Sequence, residues 1–234
     1  MISTATGVHG GWQVGRVEEY SDWNTRAGVW SGTAASWREL PLPPGSWGPS
    51  GARAVGRDGN HLAVAGYAWD REKGLYKALL WRRRLPTVAG GVGLRGWMGP
   101  LAGVPVTLEI RRPGEAAALQ TETVHLSAAG EFSLPIVWPP GVYDVTVKGD
   151  RWLRAILRNV TVTEAGASGL EFGDLIPGDV SDDNSIDLAD FLLLASAYEA
   201  DPPTEPRADL NGDGAVNEAD FLLLAQHFGE SGAP

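Results

Sequence analysis

The stretch from Asp179 to Phe228 constrains this chain most, because one block of twenty residues is written twice. The first copy reads DVSDDNSIDLADFLLLASAY from Asp179, and the second reads DLNGDGAVNEADFLLLAQHF from Asp209, thirty residues later. In each copy oxygen-bearing side chains occupy every second position, an Asp stands twelfth, and the apolar run FLLLA follows. That order is a hard-cation loop feeding a helix. Calcium takes about six to eight oxygens, and a twelve-residue loop supplies them from positions 1, 3, 5, 7, 9 and 12, with glycine at 6 for the sharp turn.

In the second copy these positions are Asp209, Asn211, Asp213, the carbonyl of Ala215, Asn217 and Asp220, with Gly214 sixth. In the first they are Asp179, Ser181, Asp183, the carbonyl of Ser185, Asp187 and Asp190, with Asn184 sixth. Two calcium sites are therefore expected, the first weaker because a Ser hydroxyl ligates less well and Asn adopts a left-handed turn less freely than Gly. One acidic, Ser/Asn-rich stretch is an ordinary solvated loop. Two in register, each feeding the same helix, are not. No entering helix precedes either loop: Ile176, Pro177 and Gly178 read as a linker, and ADPPTEPRA before the second copy holds three prolines, leaving room for a short turn of helix at most.

This duplicated loop plus exiting helix resembles the type I dockerin family over residues 178–230. The resemblance implies a small all-α domain holding two Ca2+ on the positions just named, with a cohesin domain as its partner. It also implies that loop positions ten and eleven touch the partner, here Leu188 and Ala189 in the first copy and Glu218 and Ala219 in the second. The family often has Ser-Thr there and basic residues in the helix that follows. This chain has Ala195 and Ser196, then Ala225 and Gln226.

The net charge of −10 is concentrated in the same region. From Glu171 to Glu230 there are fifteen Asp or Glu against one basic residue, Arg207, while the rest of the chain holds fourteen acidic and eighteen basic residues. No basic stripe for nucleic acid is present. There are no cysteines, which excludes disulfides and thiolate metal sites, and no apolar run long enough to span a membrane. The N-terminus lacks the basic and apolar regions of a secretion signal. Weak calcium modules operate outside cells, so the chain is expected to be the C-terminal piece of a longer extracellular or cell-surface protein.

Upstream, the expected class is multidomain and mainly β. Residues 1–86 hold seven of the ten tryptophans, with short alternating runs. Gln13–Gly15 matches Val64–Gly66, and RAGVW ending at Trp30 matches KALLW ending at Trp81, both at an offset of 51. That period is near one propeller blade, and the segment resembles the β-repeats of secreted bacterial proteins, so a truncated, partial propeller is expected, with its tryptophans as filler rather than a carbohydrate-stacking surface. Arg82–Arg84 reads as a solvated edge.

Residues 87–174 read as a β-sandwich spacer. Thr87–Gly93 reads as a glycine-rich linker, and its GVGLRG lacks the following helix that a dinucleotide site needs. Seven strand-like runs follow: VPVTLEIRR, TETVHLS, GEFSLPI, GVYDVTVKG, RWLRAIL, NVTVTE and GLEFGDL. PPGVYDVTVKG resembles the strand-turn signal of carboxypeptidase-regulatory-like and transthyretin-like modules, an immunoglobulin-like sandwich that serves as a spacer.

His9, His61, His125 and His227 lie far apart, and no G-x-S-x-G occurs. Clustered carboxylates are better explained as calcium ligands than as a glycosidase pair. The expectation is a non-catalytic docking module of a polysaccharide-degrading assembly, with carbohydrate met only through domains upstream. Two alternatives are a calcium-stabilised C-terminal cap without a partner and the tail of a polysaccharide hydrolase whose catalytic domain lies upstream.

Overall fold

The computed structural model describes residues 2–18, 24–45, 47–200 and 203–234. These fall into two compact units, residues 1–86 with 135–140, and residues 87–134 with 141–234.

In the first unit β1 (Ile2–His9), β2 (Trp12–Glu18), β3 (Thr25–Ser31) and β4 (Thr33–Glu39) form one meander, and β5 (Trp47–Asp58), β6 (His61–Asp70) and β7 (Leu75–Arg84) form another. The offset of 51 in the sequence reappears as register, since Gln13 pairs with Trp30 across β2–β3 and Val64 with Trp81 across β6–β7. Strand alternation turns Trp12 and Val14 inward from β2, and Leu62, Val64 and Ala68 from β6. Trp12 and Trp30 are buried, and Trp37, Trp47, Trp69 and Trp81 are half-buried. Arg83 covers the Trp12 ring and Lys77 that of Trp47, so these faces are occupied. Trp23 lies outside the described residues. Arg82 pairs with Asp58 at an exposed edge, whereas Arg83, expected to be solvated, is half-buried on Trp12.

The second unit opens on a strand. Thr87–Gly93 is not a linker but most of a strand, β8 (Thr87–Leu94), with Val88, Val92 and Leu94 buried. Its glycines are there for close approach: a Cβ on Gly90 would lie 2.1 Å from the Leu170 carbonyl, and one on Gly93 would lie 1.9 Å from Asp174 Oδ1. The remaining strands are β9 (Pro105–Arg111), β10 (Ala118–His125), β11 (Glu131–Pro135), β12 (Gly141–Lys148), β13 (Ala155–Val162) and β14 (Ala167–Leu175). One sheet has the order β10-β9-β12-β13 and the other β11-β8-β14, with β8 and β14 parallel. The runs RWLRAIL and NVTVTE, expected as two strands, are largely one, since β13 continues through an irregularity at Asn159, φ +56°. Val106, Leu108 and Ile110 of β9 and Val145 and Val147 of β12 are fully buried.

The chain then enters the duplicated region. Its core is assembled twice over from equivalent positions: Val180 and Leu210, Ile186 and Val216, Leu194 and Leu224. Helices α1 (Leu188–Ala197) and α2 (Glu218–Gln226) carry the two FLLLA runs. A 3-10 turn at Pro206–Ala208 is the short helical turn that the proline-rich segment allows; Asp201 and Pro202 lie outside the described residues. Ile176–Gly178 is not a free linker. Leu153 N–H donates to the Ile176 carbonyl at 2.8 Å, Trp152 bridges Pro177, and Gly178 N–H donates to the Arg151 carbonyl at 3.0 Å.

Candidate functional site

Position nine of each loop is a helix N-cap and position twelve is the third residue of that helix, so the calcium spacing is also a capping box. Asp187 accepts from Ala189 N–H at 2.7 Å, and Asp190 Oδ2 accepts from Asp187 N–H at 2.7 Å. Asn217 and Asp220 repeat this at 2.8 and 2.9 Å. The other carboxylate oxygen of each reaches back to the loop entrance. Asp190 Oδ1 accepts from Ser181 N–H, and Asp220 Oδ1 accepts from both Leu210 and Asn211 N–H. A short Asp suits this double duty.

Position one differs between the copies. Asp209 closes its loop on three backbone donors, those of Gly212, Asp213 and Gly214. Asp179 takes only Asn184 N–H, and its Oδ2 also receives the Lys148 ammonium at 2.8 Å. Its Oδ1 is buried without a partner, as is Ser181 Oγ. These two orphaned oxygens stand at the first two ligand positions, so the donor set fits a hard cation. Sixth-position geometry is as the loops require, with Asn184 at φ +70° and Gly214 at φ +93°. Burial pushes the Asp179 carboxyl up despite Lys148, and burial likewise raises Asp220 against its three N–H donors. Asp213 is held below its ordinary value by Ala215 N–H and then by the Asn211 amide. Among the described residues no three His, Cys, Asp or Glu side chains are gathered into a metal cluster. The loop carboxylates are instead turned onto backbone N–H groups, and Ser, Asn and carbonyl oxygens make up the remaining positions.

Both loops rest on the strand-rich part of the second unit. Met98 N–H donates to the Asn211 carbonyl at 2.7 Å, and Arg151, stacked on Trp97 and Trp152, donates to the carbonyls of Pro206 and Asp209. On the first loop Arg154 N–H donates to Asn184 Oδ1, and the C-terminal tail closes over it through Ile186 N–H to Glu230 and Gly232 N–H to Asn184. Lys148, Arg151, Trp97 and the tail carry no motif and were not expected from the sequence. The available signal is charge: Lys148, Arg151, Arg154 and Arg158 directly precede the acidic region.

The outer faces of the helices are apolar. Leu188 is 61% exposed, and Leu192 and Leu222, which are equivalent, are each 57% exposed. Ala189, Glu218 and Ala219 are also exposed, so all four expected contact residues lie on the surface.

Residues 177–229 match the dockerin type I domain. Two solved structures, N-terminal and C-terminal interface mutants of a type II cohesin–X–dockerin complex from Acetivibrio cellulolyticus, are similar at 24% and 25% identity. Each match covers 62% of this chain and 97% of the other, with a TM-score of 0.46. No curated protein matches the chain. The dockerin thus accounts for the duplicated block, and no helix among the described residues is long and apolar enough to cross a membrane.

The seat of the second loop on Trp97 gives a direct test. Gly212 and Gly214 both have positive φ, at +74° and +93°, but a Cβ on Gly212 would lie 2.6 Å from the Trp97 ring whereas one on Gly214 meets nothing. Gly214→Ala should cost about 1 kcal/mol of backbone strain. Gly212→Ala should cost about 3 kcal/mol, because Trp97 must also move off Trp152 and Arg151. Urea unfolding followed by tryptophan fluorescence measures both, and equal losses would show that the seat on Trp97 contributes nothing.

Proposed function

We propose that this chain is a non-catalytic, calcium-dependent docking module that binds a cohesin domain through the exposed faces of α1 and α2. The sandwich and the meanders act as spacers, and the whole belongs to an extracellular protein of a polysaccharide-degrading assembly. The observation that carries this reading is the pair of apolar helix faces presented by a segment that matches the dockerin type I domain. Leu192 and Leu222 are equally open although their neighbours Leu194 and Leu224 are buried. An apolar row kept in water on both copies suits a partner better than a self-contained cap. Calcium bound by the second loop would be held by Asp209, Asn211, Asp213, the Ala215 carbonyl, Asn217 and Asp220. It would offset carboxylates that form no ion pair among the described residues. The first loop offers Asp179, Ser181, Asp183, the Ser185 carbonyl, Asp187 and Asp190.

The copies differ at the contact positions, with Leu188–Ala189 apolar and Glu218–Ala219 charged. The first copy should therefore dominate docking. Surface plasmon resonance against cohesins encoded in the same genome should show Leu188→Glu weakening binding at least tenfold, about 1.4 kcal/mol, and Glu218→Leu changing it by less than threefold. Equal effects of the two variants would place the contact elsewhere. Absence of binding by the wild type, with its calcium loops filled, would favour the cap.

A further inference from the structure

We infer that Lys148, the last residue of β12, is a built-in counter-cation of the first loop that competes with calcium there and so sets the two loops at different affinities. The inference deepens the calcium reading proposed above and rests on it.

The geometry is specific to one copy. The Lys148 ammonium lies 2.8 Å from Asp179 Oδ2 and 2.5 Å from Asp182 Oδ1, and its side chain is only 11% exposed. It also donates to the Gly149 carbonyl at 3.1 Å, which fixes its direction. Asp179 itself is fully buried, so this ion pair is shielded from water and salt. Of the other carboxylates lining the same cavity as Lys148, Glu109 is engaged by Arg111 and Arg154 and Asp150 by Arg151, and Lys148 pairs with Asp179 and Asp182. On the second loop Arg151 donates to the Asp209 backbone carbonyl, and the carboxylate it pairs with is Asp150, not Asp209. Asp209 keeps both oxygens on loop N–H groups.

The first loop thus holds two features that point in opposite directions. The orphaned Asp179 Oδ1 and Ser181 Oγ await a cation, while an ammonium already neutralises half of the carboxylate that would be calcium's first ligand. A divalent ion arriving there meets a fixed positive charge within a few ångströms in a partly desolvated site, and must repel it or displace it. Loss of loop affinity follows without any change in the loop sequence. The weaker Ser181 and Asn184 act in the same direction, so the contribution of Lys148 has to be isolated by changing Lys148 alone.

The test counts calcium on the full chain by native mass spectrometry and isothermal titration calorimetry. In the wild type the second loop fills first. Lys148→Met, which keeps the aliphatic stem and removes the charge, should tighten the first loop at least tenfold, about 1.4 kcal/mol, and leave the second unchanged. Lys148→Arg, which keeps the charge, should leave the first loop within threefold of wild type. If Lys148→Met loses its near-ultraviolet circular dichroism, Lys148→Gln supplies a neutral hydrogen-bonding end in its place. Two calcium ions bound with an unchanged or weaker first loop in the neutral variant would overturn the inference while leaving the calcium reading intact. No calcium at either loop in any variant would overturn both.

Discussion

Asp220→Ala is expected to cost the dockerin about 4 kcal/mol, enough to unfold it at ambient temperature. Its carboxylate is fully buried and accepts from three backbone N–H groups, those of Leu210, Asn211 and Asn217, at 2.8, 3.1 and 2.9 Å. Alanine would leave three donors without partners, two of them at buried residues, and each orphan costs about 1–3 kcal/mol. The gain is smaller than the sum because burying the carboxylate is itself unfavourable, as its raised pKa records. Asp190→Ala orphans only Ser181 and Asp187 N–H, of which Ser181 is half-buried and Asp187 exposed, so about 2 kcal/mol is expected. Urea unfolding followed by helical circular dichroism ranks the two. An Asp220→Ala chain within 1 kcal/mol of wild type, or Asp190→Ala as the more damaging, would contradict the capping account.

The second large effect is that of chelation. Removing calcium should erase half or more of the helical signal of the dockerin, and the loss should fall on α2 before α1. Calcium at a hundredfold over its dissociation constant stabilises a site by about 2.7 kcal/mol when the unfolded chain does not bind it. The second loop places Asp209, Asp213 and Asp220 together with no ion-pair partner among the described residues, whereas the first keeps Lys148 on Asp179. Hydrogen exchange after chelation should therefore accelerate over Glu218–Gln226 more than over Leu188–Ala197. An unchanged circular dichroism spectrum would sink the calcium dependence, and earlier loss of α1 would sink the asymmetry.

The loops were legible in the sequence because every constraint on them is local. Positions nine and twelve are cap and capping-box partner within one helical turn, and position six is a left-handed turn that Gly214 and Asn184 can both adopt. The 51-residue repeat was legible for a related reason, since strand register between neighbours in a meander is set over short distances. What the sequence hid is long-range. Gly90, Gly91 and Gly93 look like flexible punctuation until β14, eighty residues on, lies against them in parallel. Asn159 looks like a strand boundary until Asp144 is seen accepting its N–H at 2.8 Å across the sheet. Lys148 belongs to a strand whose own pattern is satisfied without it, and its bond to Asp179 joins residues thirty-one apart that periodicity cannot connect. The aromatic seat of Trp97 and Trp152 is of the same kind, with two rings 5.4 Å apart drawn from residues far apart in sequence.

The central claim is that calcium holds the two helices in the form that a cohesin reads. Surface plasmon resonance of the full chain over an immobilised cohesin from the same genome, first in calcium and then in chelator, tests it most directly. The account predicts a dissociation constant of about 10 µM or tighter in calcium and at least a hundredfold weaker binding without it. Equal binding in both buffers, or none in calcium while the helical signal is intact, would contradict it.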